Sequence, residues 1–218
     1  MRRNVIFVIV FALVIVGLVQ LHKLSLQETA TIPIEVKGIV ELKYPSELEE
    51  RTDIPFEKLI DPEYKKSLPD TIDYESFRPH KIFLERGFDA NDSEQLKDFS
   101  NIVMNANEIN GFDANALSED MIRQISENVR TAIEQNTSKT TYRIENWKSY
   151  PVTEINGAKA FRYEYSQTDT VTGKTTKLHM TYLFKNNRQF EILLTSSPQN
   201  FDHWLALYNQ MVNTVVIK

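Results

Sequence analysis

Four ionisable side chains in the last third of the chain have types suited to chemistry: Arg162, Glu164, His179 and Glu191. They fall in segments that alternate apolar and polar residues, the pattern of half-buried strands. A hairpin drawn with Gln167 opposite Lys174 sets Tyr163 against Leu178 and Phe161 against Met180. It also sets Glu164 against Lys177 and Arg162 against His179, so apolar meets apolar and acid meets base. For the next hairpin, one residue beyond a strict two-residue turn sets Tyr182 against Ile192 and brings Glu191 toward the others. A carboxylate beside an imidazole can do acid–base work or hold a metal. Cross-strand pairing on a solvated or helix-covered face gives the same pattern without a ligand.

Other chemistry finds no support in the sequence. The chain has no cysteine, which removes disulfides, thiolate metal sites, iron–sulfur clusters and a lipid anchor on Cys. His22, His80, His179 and His203 are too dispersed for a helical metal motif, and no glycine-rich phosphate loop occurs. Asp89-x-Asn91-x-Ser93 begins like a calcium loop, but Glu94 and Ser100 stand where that loop needs Gly and a bidentate Glu. No catalytic residue, metal or cofactor is assigned. The aromatic stripe Phe161, Tyr163, Tyr165, Tyr182 and Phe184 reads as core against a helix, or as the wall of a ligand cleft.

The elements that must position these residues are legible around them. Strands are expected over Gly38–Tyr44, Lys81–Glu85, Asn101–Asn107, Val152–Ile155 and the three arms ending near Gln167, Phe184 and Thr195. Asn156-Gly157 marks a two-residue hairpin turn. Asn115–Asn136 predicts a helix with Met121, Ile122, Ile125, Val129, Ala132 and Ile133 on one stripe and Ser118 as cap. Pro198–Val215 predicts another, with Phe201, Trp204, Leu205, Tyr208, Met211, Val212 and Val215 on its stripe and Ser197 or Asn200 as cap. Ser46–Arg51 reads as one helical turn. Residues 52–79 form an acidic insertion punctuated by Pro55, Pro62, Pro69 and Pro79. The fold class is α+β: an antiparallel sheet of about six or seven strands packed with helices.

At the N-terminus, Arg2 and Arg3 precede an apolar run from Val5 to Leu21 that includes Ile6, Phe7, Leu13 and Leu18. A helix of this composition satisfies its own backbone in lipid, and the paired arginines stay on the cytoplasmic side. Residues 1–24 are expected to anchor the chain in the cell membrane by a single transmembrane helix. Residues 25–37 are a tether, and residues 38–218 a domain on the extracytoplasmic side. A cleaved signal peptide with a secreted domain is the alternative, although no small-x-small site follows the run. Residues 25–218 hold 22 basic and 30 acidic side chains, a formal net charge of −8. That balance opposes nucleic acid, whose phosphates recruit Lys and Arg.

The order of elements, with Tyr44-Pro45-Ser46, Lys81-Ile82-Phe83-Leu84, Ser100-Asn101-Ile102-Val103-Met104, Ile155-Asn156-Gly157-Ala158-Lys159-Ala160-Phe161-Arg162-Tyr163-Glu164-Tyr165 and Phe190-Glu191-Ile192-Leu193-Leu194-Thr195-Ser196-Ser197, resembles the PsbP-like superfamily. That superfamily includes photosystem PsbP proteins, a Ran-binding nuclear-import factor and bacterial exported proteins of unknown role. The resemblance covers Gly38 to Lys218, and residues 52–79 depart from it by their length. It implies an α/β/α sandwich without a shared catalytic constellation, and an adaptor or assembly role with another envelope protein as partner. A small-ligand binder or hydrolase-type enzyme using the polar sheet-face cluster is the competing expectation.

Overall fold

The computed structural model describes residues 30–60, 65, 73–138 and 140–218. The expected transmembrane helix, with Val5, Ile6, Phe7, Leu13, Leu18 and Leu21, lies outside the described residues, as do 61–64 and 66–72 of the insertion. No helix among the described residues is long and apolar enough to cross a membrane. Ile32–Lys218 is one compact unit and holds the layered domain.

The fold is α+β and mostly antiparallel. Among the described residues eleven strands run in chain order: β1 (Thr31–Val36), β2 (Val40–Pro45), β3 (Leu48–Glu50), β4 (Lys81–Glu85), β5 (Asn101–Glu108), β6 (Tyr142–Ser149), β7 (Thr153–Ile155), β8 (Ala158–Asp169), β9 (Thr175–Lys185), β10 (Arg188–Ser196) and β11 (Val216–Ile217). Among the described residues they are joined by the α-helices α1 (Ser93–Lys97), α2 (Glu119–Thr137) and α3 (Phe201–Val212). An eight-stranded sheet has the order β3-β4-β5-β10-β9-β8-β6, with β7 also paired to β8. A three-stranded sheet has the order β1-β2-β11.

Alternation divides the large sheet into two faces. Ala160, Leu183, Phe190, Ile192, Leu194, Ile102 and Met104 point one way and form a core with Trp204, Leu207, Tyr208 and Met211 of α3. The small sheet adds Val36, Val40, Leu42 and Ile217 to this core. The opposite face carries Phe161, Tyr163, Tyr165 and Phe184, over which α2 lays Ile122, Ile125, Val129 and Ile133. Burying aliphatic and aromatic side chains on both faces is the main favourable term in such a layered fold.

Several expectations change. Residues 31–36, expected in the tether, form β1, and Ser46–Arg51 contributes strand β3 where a helical turn was expected. Strands β6 and β11 are additions to the expected set. Met121 and Ala132 of the predicted stripe face solvent. The β8–β9 hairpin is displaced by two residues from the expected register: Tyr163 lies opposite Met180, Phe161 opposite Tyr182, and Thr168 opposite Thr175. The turn is not lengthened but moved along the chain, and the buried Asp169 carboxylate holds it there by accepting from Val171 N and Thr172 Oγ1. The β9–β10 turn is a strict two-residue one, so Tyr182 meets Glu191 and not Ile192. The carbonyls of Asn186 and Asn187 accept from Ala114 N and Ile109 N at 2.7 Å, which pins that tight turn from outside the hairpin. Asn156 and Gly157 both have positive φ (49° and 78°), as a two-residue hairpin turn between Ile155 and Ala158 requires.

Candidate functional site

Strands β8 and β9 do bring Glu164 and His179 together, directly opposite each other. This corrects the expected pairing, in which His179 faced Arg162 and Glu164 faced Lys177. Arg162 lies opposite Thr181, and Lys177 lies opposite Ser166. The even displacement keeps Arg162, Glu164 and His179 on the α3 face. Glu191 pairs with Tyr182 and is therefore on the α2 face, through the sheet from the other three.

His179 Nδ1 lies 3.3 Å from Glu164 Oε2, and Tyr150 O–H donates to the same oxygen at 3.2 Å. An imidazole carrying its proton on Nδ1 can donate to this oxygen. The ring is wedged between Tyr150 (centroids 5.6 Å) and Tyr208 of α3 (5.2 Å, edge-on). His179 is 5% exposed. Burial lowers its pKa below the ordinary imidazole value, and Glu164 offsets only part of that. Beneath it, Tyr208 O–H contacts Thr181 Oγ1 at 2.7 Å and Ile192 O at 2.9 Å, so the buried phenol and the 0%-exposed threonine satisfy one another.

Cations cover the outer side. Lys148 Nζ stands 4.4 Å from the Tyr150 ring centroid and Arg162 stands 5.9 Å from it. Arg162 reaches Thr153 Oγ1 at 3.2 Å through one terminal nitrogen, while its Nε is buried without a hydrogen-bond partner among the described residues. The arrangement can hold a neutral imidazole beside a carboxylate, and both groups are already used. Among the described residues no three His, Asp or Glu side chains cluster as metal ligands. The Asp89 carboxylate instead accepts from Asn91, and Asp92 caps α1.

On the α2 face the expected aromatic stripe is a packed ladder. Phe161 stacks on Tyr182 (5.7 Å, 9°), Tyr182 on Phe184 (6.2 Å, 13°), and Trp147 of β6 on Tyr163 (4.7 Å, 16°). Glu191 is half-buried beside it, accepting from Gln189 Nε2; burial raises its pKa, and the Gln189 and Asn105 amides pull it partly back.

Sequence reasoning missed Tyr150, Thr181 and Tyr208 as members of the polar network. Two signals were present. A tyrosine on an apolar helix stripe needs a partner for its hydroxyl once buried. Thr181 also lies between His179 and Leu183 on the face bound for the core.

No family model matches the chain, and no curated protein matches it. Among solved structures it is similar to cyanobacterial PsbP (CyanoP) from Synechocystis sp. PCC 6803, with 12% identity, 88% of this chain and 95% of that one covered, and a TM-score of 0.48. It is similar to LpqN, described as involved in cell envelope biogenesis of Mycobacterium tuberculosis, with 11% identity, 87% and 91% covered, and a TM-score of 0.48. A Pseudomonas aeruginosa protein of unknown function gives 13%, 86% and 97%, and 0.41. A PsbP structure thus stands among those this chain is similar to, as the sequence resemblance leads one to expect. Likenesses this remote carry no argument about activity or partner.

Proposed function

We infer that this chain is a non-catalytic accessory module, anchored by its N-terminal segment with the folded domain on the extracytoplasmic side, that works by binding another envelope protein. The observation that carries this reading is the closure of the Glu164–His179 pair. Both groups are engaged with each other and with Tyr150, and His179 is sealed between two tyrosine rings. Groups committed to packing support a scaffold role for this face. The apolar leader with its paired arginines supports delivery to a membrane. The test is crosslinking of the full-length chain in native membranes, with identification of what is joined to it. A discrete heteromeric product in the membrane fraction is expected; a chain that stays in the soluble cytosol with its leader intact, or is recovered alone, sinks the reading.

A second reading, a small-ligand binder or hydrolase-type enzyme at Arg162, Glu164 and His179, is favoured by one observation: the buried Arg162 Nε without a partner among the described residues. It requires a ligand-induced displacement of Tyr150. Saturable binding or turnover that disappears in Arg162→Lys and in Glu164→Gln, with folding intact, would replace the first reading by this one.

A further inference from the structure

The large sheet is covered unevenly on the side of α2. There Ile122, Ile125 and Val129 lie over the aromatic rings of β8 and β9. At the other end of the same side, Leu84 of β4 packs with Ile54, Ala90, Phe88 and Phe99. Between these two clusters β5 and β10 present a strip with two rows of side chains. Val103, Leu193 and Met180 face one another across β5, β10 and β9, and Asn105, Glu191 and Tyr182 form the row beside them. All six are partly exposed. Among the described residues Val103 and Leu193 belong to none of the three apolar clusters of the domain. Adjacent apolar side chains left at a surface in this way mark an interaction site.

Glu191 gives the strip its charge. Its carboxylate accepts from Gln189 Nε2, and no cation pairs with it among the described residues. The basic groups of the adjoining strands are engaged elsewhere: Arg188 with Glu108, Lys159 with the Leu117 carbonyl and Lys81 with Glu50. Burial raises the pKa of Glu191, which is the cost of holding its charge here, and an incoming cation would remove that cost. A half-buried carboxylate among leucine, methionine and tyrosine is therefore the complement of an apolar surface that carries one basic group. Three neighbouring strands span about 10 Å, the diameter of one helix.

We propose that this strip docks an amphipathic helix of a partner protein, with apolar side chains on Val103, Leu193 and Met180 and one lysine or arginine on Glu191. The surface rests on the partner-binding role inferred above and gives that partner a chemistry. It lies through the sheet from the Glu164–His179 pair and uses none of its groups.

The test places a photoreactive benzoylphenylalanine at Leu193 of the full-length chain in native membranes, and for comparison at Lys148, which shares the opposite side of the sheet with Glu164. A heteromeric product is expected from Leu193 and not from Lys148. Its crosslinked peptide is expected to repeat apolar residues at helical spacing with Lys or Arg among them. Glu191→Gln keeps the shape of the side chain without its charge and is expected to lower the yield by about fivefold or more. Replacing the partner's basic residue with methionine should lower it equally, with no further loss when the two changes are combined. A yield unmoved by Glu191→Gln, an acidic crosslinked peptide, or a product joining Leu193 to this same chain or to a second copy of it overturns the proposal. A heteromer formed from Lys148 but not from Leu193 overturns this surface and leaves the accessory role standing. If neither position gives a heteromer the surface is again overturned, and the role falls with it only when the general crosslinking described above also recovers the chain alone.

Discussion

The two faces of the large sheet are made by the same strands and stabilised in different ways. Under α3 the face is sealed: Phe190, Ile192 and Leu194 are fully buried, and His179, Glu164, Thr181 and Tyr208 among them are joined by hydrogen bonds. Under α2 the face is half-open, with Met180, Tyr182, Glu191 and Leu193 partly exposed beside the stacked rings. The difference teaches where polarity is tolerated. In the sealed layer a hydroxyl or imidazole must find a protein partner, because water is excluded. In the half-open layer a carboxyl such as Glu191 can remain without a cation among the described residues, with its pKa raised as the consequence.

Large truncations break the comparison most clearly. Phe190→Ala in the sealed layer is expected to cost about 3–5 kcal/mol. Ile125→Ala on the half-buried stripe of α2 should cost no more than roughly half of that, because less area and less packing are lost. Urea unfolding of the two variants measures both, and equal losses would mean that the α2 layer is sealed too. Next, Tyr208→Phe leaves Thr181 and Ile192 O without their buried partner and is expected to cost about 1–3 kcal/mol. Tyr182→Phe, whose ring lies on the half-open side, should cost well under about 1 kcal/mol. A Tyr208→Phe variant as stable as the parent would remove the claim that the sealed layer depends on closed networks.

The helix starts sharpen the contrast further. Ser118 Oγ accepts from Met121 N at 3.2 Å, so Ser118→Ala should lower stability by about 1 kcal/mol. Asn200→Ala at the uncapped start of α3 should fall within a few tenths of the parent, roughly the scatter of a neutral surface change. A large loss at Asn200 would show a cap that the static structure lacks.

Smallest are the pH effects, which run in opposite directions on the two faces. His179 has a folded pKa below the ordinary value of 6.5. Its contribution is complete above that pH and is lost as pH falls below it, since the unfolded chain takes the proton first. Glu191 has a folded pKa above the ordinary 4.5. Its contribution is complete below that pH and is lost as pH rises through the folded value. Stability measured against pH should therefore fall less steeply below pH 6.5 in His179→Gln. In Glu191→Gln the matching loss above pH 4.5 should disappear. His80, also lowered by burial, acts with the sign of His179 and remains in both variants. Identical profiles for parent and variants would show that neither group is buried as described.

Much of the architecture is readable in the residues. The stripe of Phe201, Trp204, Tyr208 and Met211 marks α3, and Ser118 before Glu119 and Asp120 marks the start of α2. The alternation from Lys159 to Tyr165 marks β8. The candidate site is readable only in its membership, because Glu164 and His179 could be placed on one face but not against each other. A displacement by two residues leaves every side chain on its face, so hydrophobic pattern is blind to it. Asp169 in the turn made that choice. Glu191 went to the wrong face for the opposite reason: a single residue in the β9–β10 turn inverts the face of a strand, and contacts from Ile109 and Ala114 fixed that turn.

The sequence by itself determined the period of each long element, the apolar stripe of each helix, the Asn156–Gly157 turn and the acidic balance of the chain, because these depend on neighbours within a few positions. Tertiary structure alone decided the partner of each strand residue, the recruitment of β1, β3, β6 and β11, the sealing of His179 and the bare start of α3. Short edge strands and buried polar pairs gain their free energy only from distant segments, and no local pattern records which segment arrives.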